Sequence, residues 1–186
     1  ISYLNVVKKI LITISLFLIF NIGYSQSFYS NLKAVGLTCA MCSYSTQKSL
    51  EKLDFIESIT PDLEATSFKL EFKEDEFVDF DLIQEKVEDA GFFVGSIEIV
   101  FTDNIKAEND KHNLIDGNLF HFFSDEEIDS RVFTIVDKKF IRKSEYKIIS
   151  EKTSHSCYET GLHTASCCSN HENLKSNKVF HLKSSL

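Results

Sequence analysis

The order of strand-like and helix-like patterns between residues 27 and 101 constrains the fold more than any other feature. In segment 67–73, Phe68, Leu70 and Phe72 alternate with charged residues, which predicts a half-buried strand. The full series is a strand over 27–35, a helix over 43–53, strands over 55–60 and 67–73, a helix over 80–90 and a strand over 92–101. This β-α-β-β-α-β order predicts an α+β, ferredoxin-like domain in which two helices cover one face of a four-stranded antiparallel sheet.

Two cysteines stand at the junction of the first predicted strand and the first predicted helix. They are Cys39 and Cys42, in the segment Gly-Leu-Thr-Cys-Ala-Met-Cys at 36–42. Backbone N–H groups and the helix dipole favour a thiolate at the start of a helix. The motif therefore predicts either a soft-metal clamp or a redox-active thiol pair.

Three features together resemble the heavy-metal-associated family. They are the motif at 36–42, the strand pair around Pro61 and the sequence Glu-Asp-Ala-Gly-Phe at 88–92. The resemblance covers residues 28–101. The family includes copper chaperones, the N-terminal domains of metal-pumping ATPases and periplasmic mercury-binding proteins.

The resemblance assigns roles to five residues. It implies that Cys39 and Cys42 are the metal ligands, and that Leu37, Thr38 and Phe92 lie beside them without binding the ion. Leu37 stands where the family usually has methionine, an apolar prop under the loop, and leucine should serve there with a change in packing.

Two thiolates with few other ligands suit Cu(I), which accepts two-coordinate sulfur ligation. Hg(II) accepts the same ligation, and Zn(II) or Cd(II) are further candidates, although Zn(II) prefers four ligands. An ion with so few ligands can accept a thiolate from a partner and pass across by ligand exchange. We therefore expect a soft-metal carrier, scavenger or sensor whose partner is a metal-transporting membrane protein or another metallochaperone.

Other functions remain open from the sequence. A CxxC pair before a helix also occurs in thiol-disulfide oxidoreductases, and a structural disulfide between Cys39 and Cys42 would need no further function. A non-catalytic accessory module that docks on a membrane transporter is a third alternative. The sequence has no Ser/His/Asp constellation with supporting context and no phosphate-binding glycine loop, so we expect no enzyme.

The N-terminal segment predicts export. Lys8 and Lys9 precede a short apolar run that ends in small residues at Ser25, as in a signal peptide cleaved between Ser25 and Gln26; an uncleaved anchor is the alternative. Cleavage would change the formal net charge from −8 to −10. We therefore expect a periplasmic or cell-envelope protein that does not bind nucleic acid.

The C-terminal part lacks a second copy of the cysteine motif. Segment 102–111 is polar and predicts a linker, and 112–186 predicts a small, mainly antiparallel β unit. The short β-prone runs that support this unit are 119–123, 132–136, 139–141, 146–149 and 179–182.

Within that unit, residues 155–171 are rich in metal-binding side chains. Three thiols and three imidazoles fall in this loop: His155, Cys157, His163, Cys167, Cys168 and His171. They predict either a second metal site or a disulfide from Cys157 to Cys167 or Cys168. An odd total of five cysteines leaves at least one thiol outside any intramolecular disulfide.

Overall fold

The computed structural model describes residues 27–74, 76–124, 126–164 and 173–185. The elements, in chain order, are β1 (Phe28–Val35), α1 (Ala40–Leu50), β2 (Ile56–Asp62), β3 (Ser67–Phe72), α2 (Phe80–Asp89), β4 (Phe93–Ala107), β5 (Lys111–Ile115), β6 (Asn118–Phe123), β7 (Ile128–Ile135), α3 (Lys143–Ser150), α4 (Cys157–Thr160) and β8 (Val179–Ser184). The predicted signal peptide, 1–25, lies outside the described residues and stays a prediction. No helix among the described residues is long and apolar enough to cross a bilayer.

All eight strands form one sheet, in the order β2-β3-β1-β4-β7-β8-β6-β5. The first four in this order are antiparallel and, with α1 and α2 packed together, form the ferredoxin-like arrangement. The predicted fold of the N-terminal part is therefore confirmed. Beyond β4 the sheet is antiparallel except for the parallel pair β6 and β8.

The strand predictions succeed where one face of a strand is buried. In β3, Phe68, Leu70 and Phe72 are buried, whereas Lys69 and Glu71 face outward and form an ion pair. The sequence predicts a second strand over 55–60 that ends before Pro61, but the observed strand continues to Asp62. Pro61 lies inside β2, which tolerates a residue without an N–H because β2 is an outer strand of the sheet.

The predicted linker over 102–111 is wrong. Strand β4 continues without a break to Ala107, and β5 begins at Lys111. Between Val100 and Ile105 the pairing of β4 with β7 shifts register, so the polar residues at the bulge are accommodated inside a continuous strand. The N-terminal domain and the predicted β unit therefore belong to one sheet, joined by the pairing of β4 with β7.

Two of the β-prone runs in the C-terminal part are not strands. Segment 146–149 belongs to helix α3, where Ile149 is buried and Ile148 is exposed, and 139–141 lies in a turn before it. A four-residue apolar run has the same composition in a short helix and in a strand, so periodicity alone does not separate them. The runs at 119–123, 132–136 and 179–182 coincide with β6, β7 and β8.

The core is continuous between the two parts of the chain. Buried aromatic rings from β1, β4, β6 and β7 contact one another in a single cluster, whose members are Phe28, Phe101, Phe120, Phe122 and Phe133. Tilted and edge-to-face ring contacts of this kind stabilise a core beyond the apolar area that they bury.

A charged cluster joins α2 to the segment before β8. The ammonium group of Lys178 lies 2.8 Å from both carboxylate oxygens of Asp79, the N-cap of α2, and 2.9 Å from Asp81. Burial raises the pKa of Asp81, but the hydrogen bonds from Lys139 and Lys178 outweigh it, and the net pKa lies below its ordinary value. The carboxylate is thus held in its charged form by two lysines.

Replacing Lys178 by methionine is expected to lower the free energy of unfolding at pH 7 by about 1 kcal/mol, since the side chains are partly exposed and water screens the attraction. Because folding lowers the pKa of Asp81, its contribution is complete above the unfolded pKa, about 4, and is lost as the pH falls through the folded value. Urea unfolding between pH 2.5 and 7 measures this, and the difference from wild type should shrink at the acidic end. Lys48→Met, which removes an exposed pair with Glu51 and an exposed contact with the Tyr44 ring, is the matched control with a smaller expected effect.

Candidate metal centres

The loop that carries the first cysteine pair begins where β1 ends. Gly36 has φ +96°, a left-handed conformation that glycine adopts without strain, and it turns the chain out of the sheet. Leu37 then enters the hydrophobic core and is buried. The loop is thus fixed from below by an apolar side chain, while Thr38 and Cys39 lie on the exposed side.

Cys39 is the N-cap of α1. Its Sγ accepts a hydrogen bond from the Cys42 backbone N–H at 3.2 Å, and its carbonyl oxygen accepts from the N–H groups of Cys42 and Ser43. A sulfur at this position faces the positive end of the helix. Neither Cys39 nor Cys42 forms a disulfide within the described chain, and Cys39 is exposed.

Cys42 lies one helical turn further, half-buried against the core. The hydrogen bond with the Cys39 side chain is the main cause that holds the pKa of the Cys42 thiol below its ordinary value; burial opposes it, and interactions with Thr38 add to it. A lower pKa gives a larger thiolate fraction at neutral pH. Since the thiolate is the form that binds metal, the geometry favours a metal-binding or nucleophilic sulfur.

Phe92 lies against the same loop. Its Cδ1 is 3.5 Å from the place that a Cβ on Gly36 would occupy, and the ring packs against the core. Phe92 therefore packs beside Gly36, and Leu37 anchors the loop in the core. Both positions agree with the sequence prediction that these residues lie beside the cysteines. Their effect on metal binding stays a prediction, as does that of Thr38.

Residues 32–93 match the family model of the heavy-metal-associated domain. This segment of the chain is therefore a heavy-metal-associated domain, as the sequence motifs predict. The matched segment ends at the first residue of β4, so the family describes about a third of the chain and none of the sheet beyond it.

Solved structures similar to this chain cover a comparable share of it. They include the CopZ metallochaperone (23% identity over 36% of this chain and 97% of that chain, TM-score 0.33). A copper-binding domain from HMA7, a P-type ATPase, has 25% identity over 36% of this chain and 89% of its own, with TM-score 0.33. Apo-CopP from Helicobacter pylori has 26% identity over 36% and 97%, with TM-score 0.32. No curated protein matches the chain.

A second group of metal-binding side chains lies at the opposite edge of the sheet. The structure places His155 and Cys157, two of the six residues predicted from the 155–171 loop, beside three histidines that the prediction missed: His112, His121 and His181. His163 belongs to neither of the groups that bring ligand atoms together among the described residues. Cys167, Cys168 and His171 lie outside the described residues, so their predicted roles stay predictions.

His121 is at the centre of this group. Burial and the nearby rings of His181, His112 and His155 lower the pKa of His121 to about 2. The imidazole is therefore neutral, and its contact with Asp110, 2.9 Å from Nε2, is a hydrogen bond from the ring N–H to the carboxylate and not an ion pair. His112, His121 and His181 are separated by up to 69 positions, so their spacing in the sequence does not indicate a common site. Strand pairing brings them together.

Proposed function

We propose that the chain is a Cu(I) carrier that binds the ion between Cys39 and Cys42. The observation that supports this most directly is the pair of accessible thiols at the N-terminus of α1, within a heavy-metal-associated domain. Two thiolates satisfy Cu(I) with near-linear coordination, whereas Zn(II) asks for two further ligands. Hg(II) and Cd(II) are soft ions that could occupy the same pair.

Loading and release follow from thiolate chemistry. Each thiol loses its proton when its sulfur binds the ion, and the lowered pKa of Cys42 reduces the cost of that step. A thiolate of the partner adds to the two-coordinate ion, and one sulfur of this chain leaves and takes up a proton. A second thiolate of the partner then adds, and the other sulfur of this chain leaves in the same way, so the ion keeps at least two sulfur ligands throughout. The oxidation state of copper does not change, so no electron donor is needed.

The setting of this carrier is part of the proposal. The predicted signal peptide favours a periplasmic or envelope location, where a metal-transporting membrane protein or a second metallochaperone is the fitting partner. The carrier performs no catalysis and binds no nucleic acid. Bound Cu(I), or a reducing partner, would keep Cys39 and Cys42 from oxidation.

Titration of the reduced protein with Cu(I) against a chromophoric Cu(I) chelator tests the proposal. Wild type should withdraw one equivalent from the chelator, and Cys39→Ser/Cys42→Ser should lose that equivalent, since hydroxyl groups are poor ligands for a soft ion. Cys167→Ser/Cys168→Ser, which makes the same change at two other cysteines, should retain it. Full Cu(I) affinity in the Cys39→Ser/Cys42→Ser variant would contradict the proposal.

The lowered pKa of Cys42 also favours a second candidate, a thiol-disulfide oxidoreductase. Reduction of insulin disulfides by the protein with dithiothreitol distinguishes the two. A carrier should not accelerate the reaction above the rate of dithiothreitol alone, and the Cys39→Ser/Cys42→Ser variant sets the background. An acceleration that disappears in the variant would favour the oxidoreductase.

A further inference from the structure

We propose a second metal site, for a divalent transition ion and best suited to Zn(II), formed by His112, His121, Cys157 and His181. It lies in the part of the sheet that the heavy-metal-associated domain does not cover. The site is independent of the Cys39 and Cys42 pair and does not rest on the function proposed for it.

Strand register builds one side of the site. In the antiparallel pair of β5 and β6, His112 stands directly opposite His121, and in the parallel pair of β6 and β8, His121 stands opposite His181. Residues opposite each other on neighbouring strands point to the same face of a sheet. The three imidazoles therefore form a row across three strands, and His121 and His181 are fully buried.

Cys157, the first residue of the short helix α4, places its sulfur over this row. Its Sγ lies 3.4 Å from His112 Nε2 and 3.7 Å from His121 Nδ1. Neighbouring sulfur and nitrogen ligands of a tetrahedral zinc ion are separated by roughly 3.5 Å, given the usual bond lengths. One ring nitrogen each of His121 and His181 and the Cys157 sulfur lie within 4.8 Å of one another. His112 belongs to a second such group, with His121 and His155, so His121 is common to both groups.

Two carboxylates orient the histidines. Asp110 accepts a hydrogen bond from His121 Nε2 at 2.9 Å, and Asp137 contacts His181 Nδ1 at 2.6 Å and its backbone N–H at 2.9 Å. Each bond places a proton on one nitrogen and leaves the lone pair of the other nitrogen available. A carboxylate behind a histidine ligand is the usual arrangement at zinc centres, where it fixes the tautomer and raises the basicity of the ring.

The second ring nitrogen of His181, Nε2, is the observation that most directly indicates a bound ion. Its Nε2 is buried and has no hydrogen-bond partner among the described residues, although Nδ1 is held by Asp137. A buried polar atom without a partner costs free energy, and a bound ion would remove that cost. His121 Nδ1 is oriented in the same way, toward the Cys157 sulfur.

The ligand chemistry separates this site from the first one. Three imidazoles and one thiolate suit a borderline ion such as Zn(II), whereas two thiolates alone suit Cu(I). The Cys157 thiolate and the carboxylates of Asp110 and Asp137 together carry three negative charges, which more than compensate the two positive charges of a dication. A cavity of about 200 Å³ is lined in part by Thr153 and His155, and the ring of His155 packs against those of His112 and His121.

Titration with Co(II) tests the site in the full chain carrying Cys39→Ser/Cys42→Ser, which removes the first pair. The reduced protein should bind one equivalent of Co(II) with the visible bands of a tetrahedral ion and a thiolate-to-cobalt charge-transfer band. One equivalent of Zn(II) should remove both. Cys157→Ser should abolish the charge-transfer band, and His112→Gln or His181→Gln should weaken Co(II) binding about tenfold or more.

Matched controls separate this cluster from other ligands. His163→Gln, and Cys167→Ser/Cys168→Ser as a pair, should leave the spectrum unchanged. Circular dichroism checks the fold of each variant; His112 is only partly buried, so His112→Gln remains informative if a variant at a buried position unfolds. A charge-transfer band that survives Cys157→Ser in folded protein, or a Cys157 disulfide in protein isolated from its native cells, would overturn the proposal.

Discussion

Replacing Phe101 by alanine is expected to lower the free energy of unfolding by about 3–5 kcal/mol, the usual cost of deleting a buried ring. Phe101 is 1% exposed and lies on β4, which pairs with β1 of the N-terminal part and with β7 of the C-terminal part. Its ring centroid is 5.8 to 6.4 Å from the centroids of four other rings, those of Phe28, Phe120, Phe122 and Phe133. The cavity would therefore open where the two parts of the core meet.

Equilibrium unfolding in urea, followed by far-ultraviolet circular dichroism, measures the loss. Phe93→Ala is the matched control because Phe93 belongs to the same strand but is 67% exposed, so its removal should change stability little. Tyrosine fluorescence should report the same midpoint as circular dichroism for wild type, because one core joins the two parts. Two separate transitions, with Phe101→Ala altering only one, would show that the parts fold independently.

Asn118→Ala is expected to have the next largest effect, a loss of about 2 kcal/mol. Asn118 is 1% exposed; its Oδ1 accepts a hydrogen bond from the backbone N–H of Val78 at 2.9 Å, and its Nδ2 donates to the Asp116 carbonyl oxygen. Alanine would leave the Val78 N–H buried without that partner, and an unsatisfied buried donor costs about 1–3 kcal/mol.

The same urea titration measures this change. Asn113→Ala is its control, since Asn113 lies on the neighbouring strand β5 and is only partly buried. Hydrogen exchange at the Val78 amide should also be faster in Asn118→Ala than in wild type. An unchanged midpoint together with unchanged exchange at Val78 would show that this hydrogen bond contributes little to stability.

The N-terminal fold follows from local patterns that a single sequence displays. Strand β3 alternates apolar and charged residues, and α2 has a capping aspartate, Asp79, and a glycine just past its end. The motif at 36–42 predicted the loop: Gly36 has the positive φ that glycine adopts without strain, and Cys39 is the N-cap of α1. Local physics and overall fold agree in this part of the chain.

The C-terminal part resisted prediction because its determinants are distant in sequence. His112, His121 and His181 have no common spacing, and their alignment depends on a parallel pairing of β6 with β8 that no local pattern indicates. The density of cysteine and histidine over 155–171 predicted a second metal site or a disulfide, and the structure places His155 and Cys157 in a cluster of potential metal ligands. That local density gave no indication of His112, His121 and His181, which lie on strands of the sheet.

The pairing of β4 with β7 determines which sheet edges stay exposed. Within the heavy-metal-associated part, β4 would be an edge open to pairing with another chain, but Glu98, Ile99 and Val100 stand opposite residues of β7. The outer strands of the whole sheet are β2 and β5. Strand β2 contains Pro61 and ends at Asp62, and proline and charge both discourage strand addition. The edge that β4 would leave open in an isolated heavy-metal-associated domain is thus closed by β7 of the same chain, which blocks strand addition at β4.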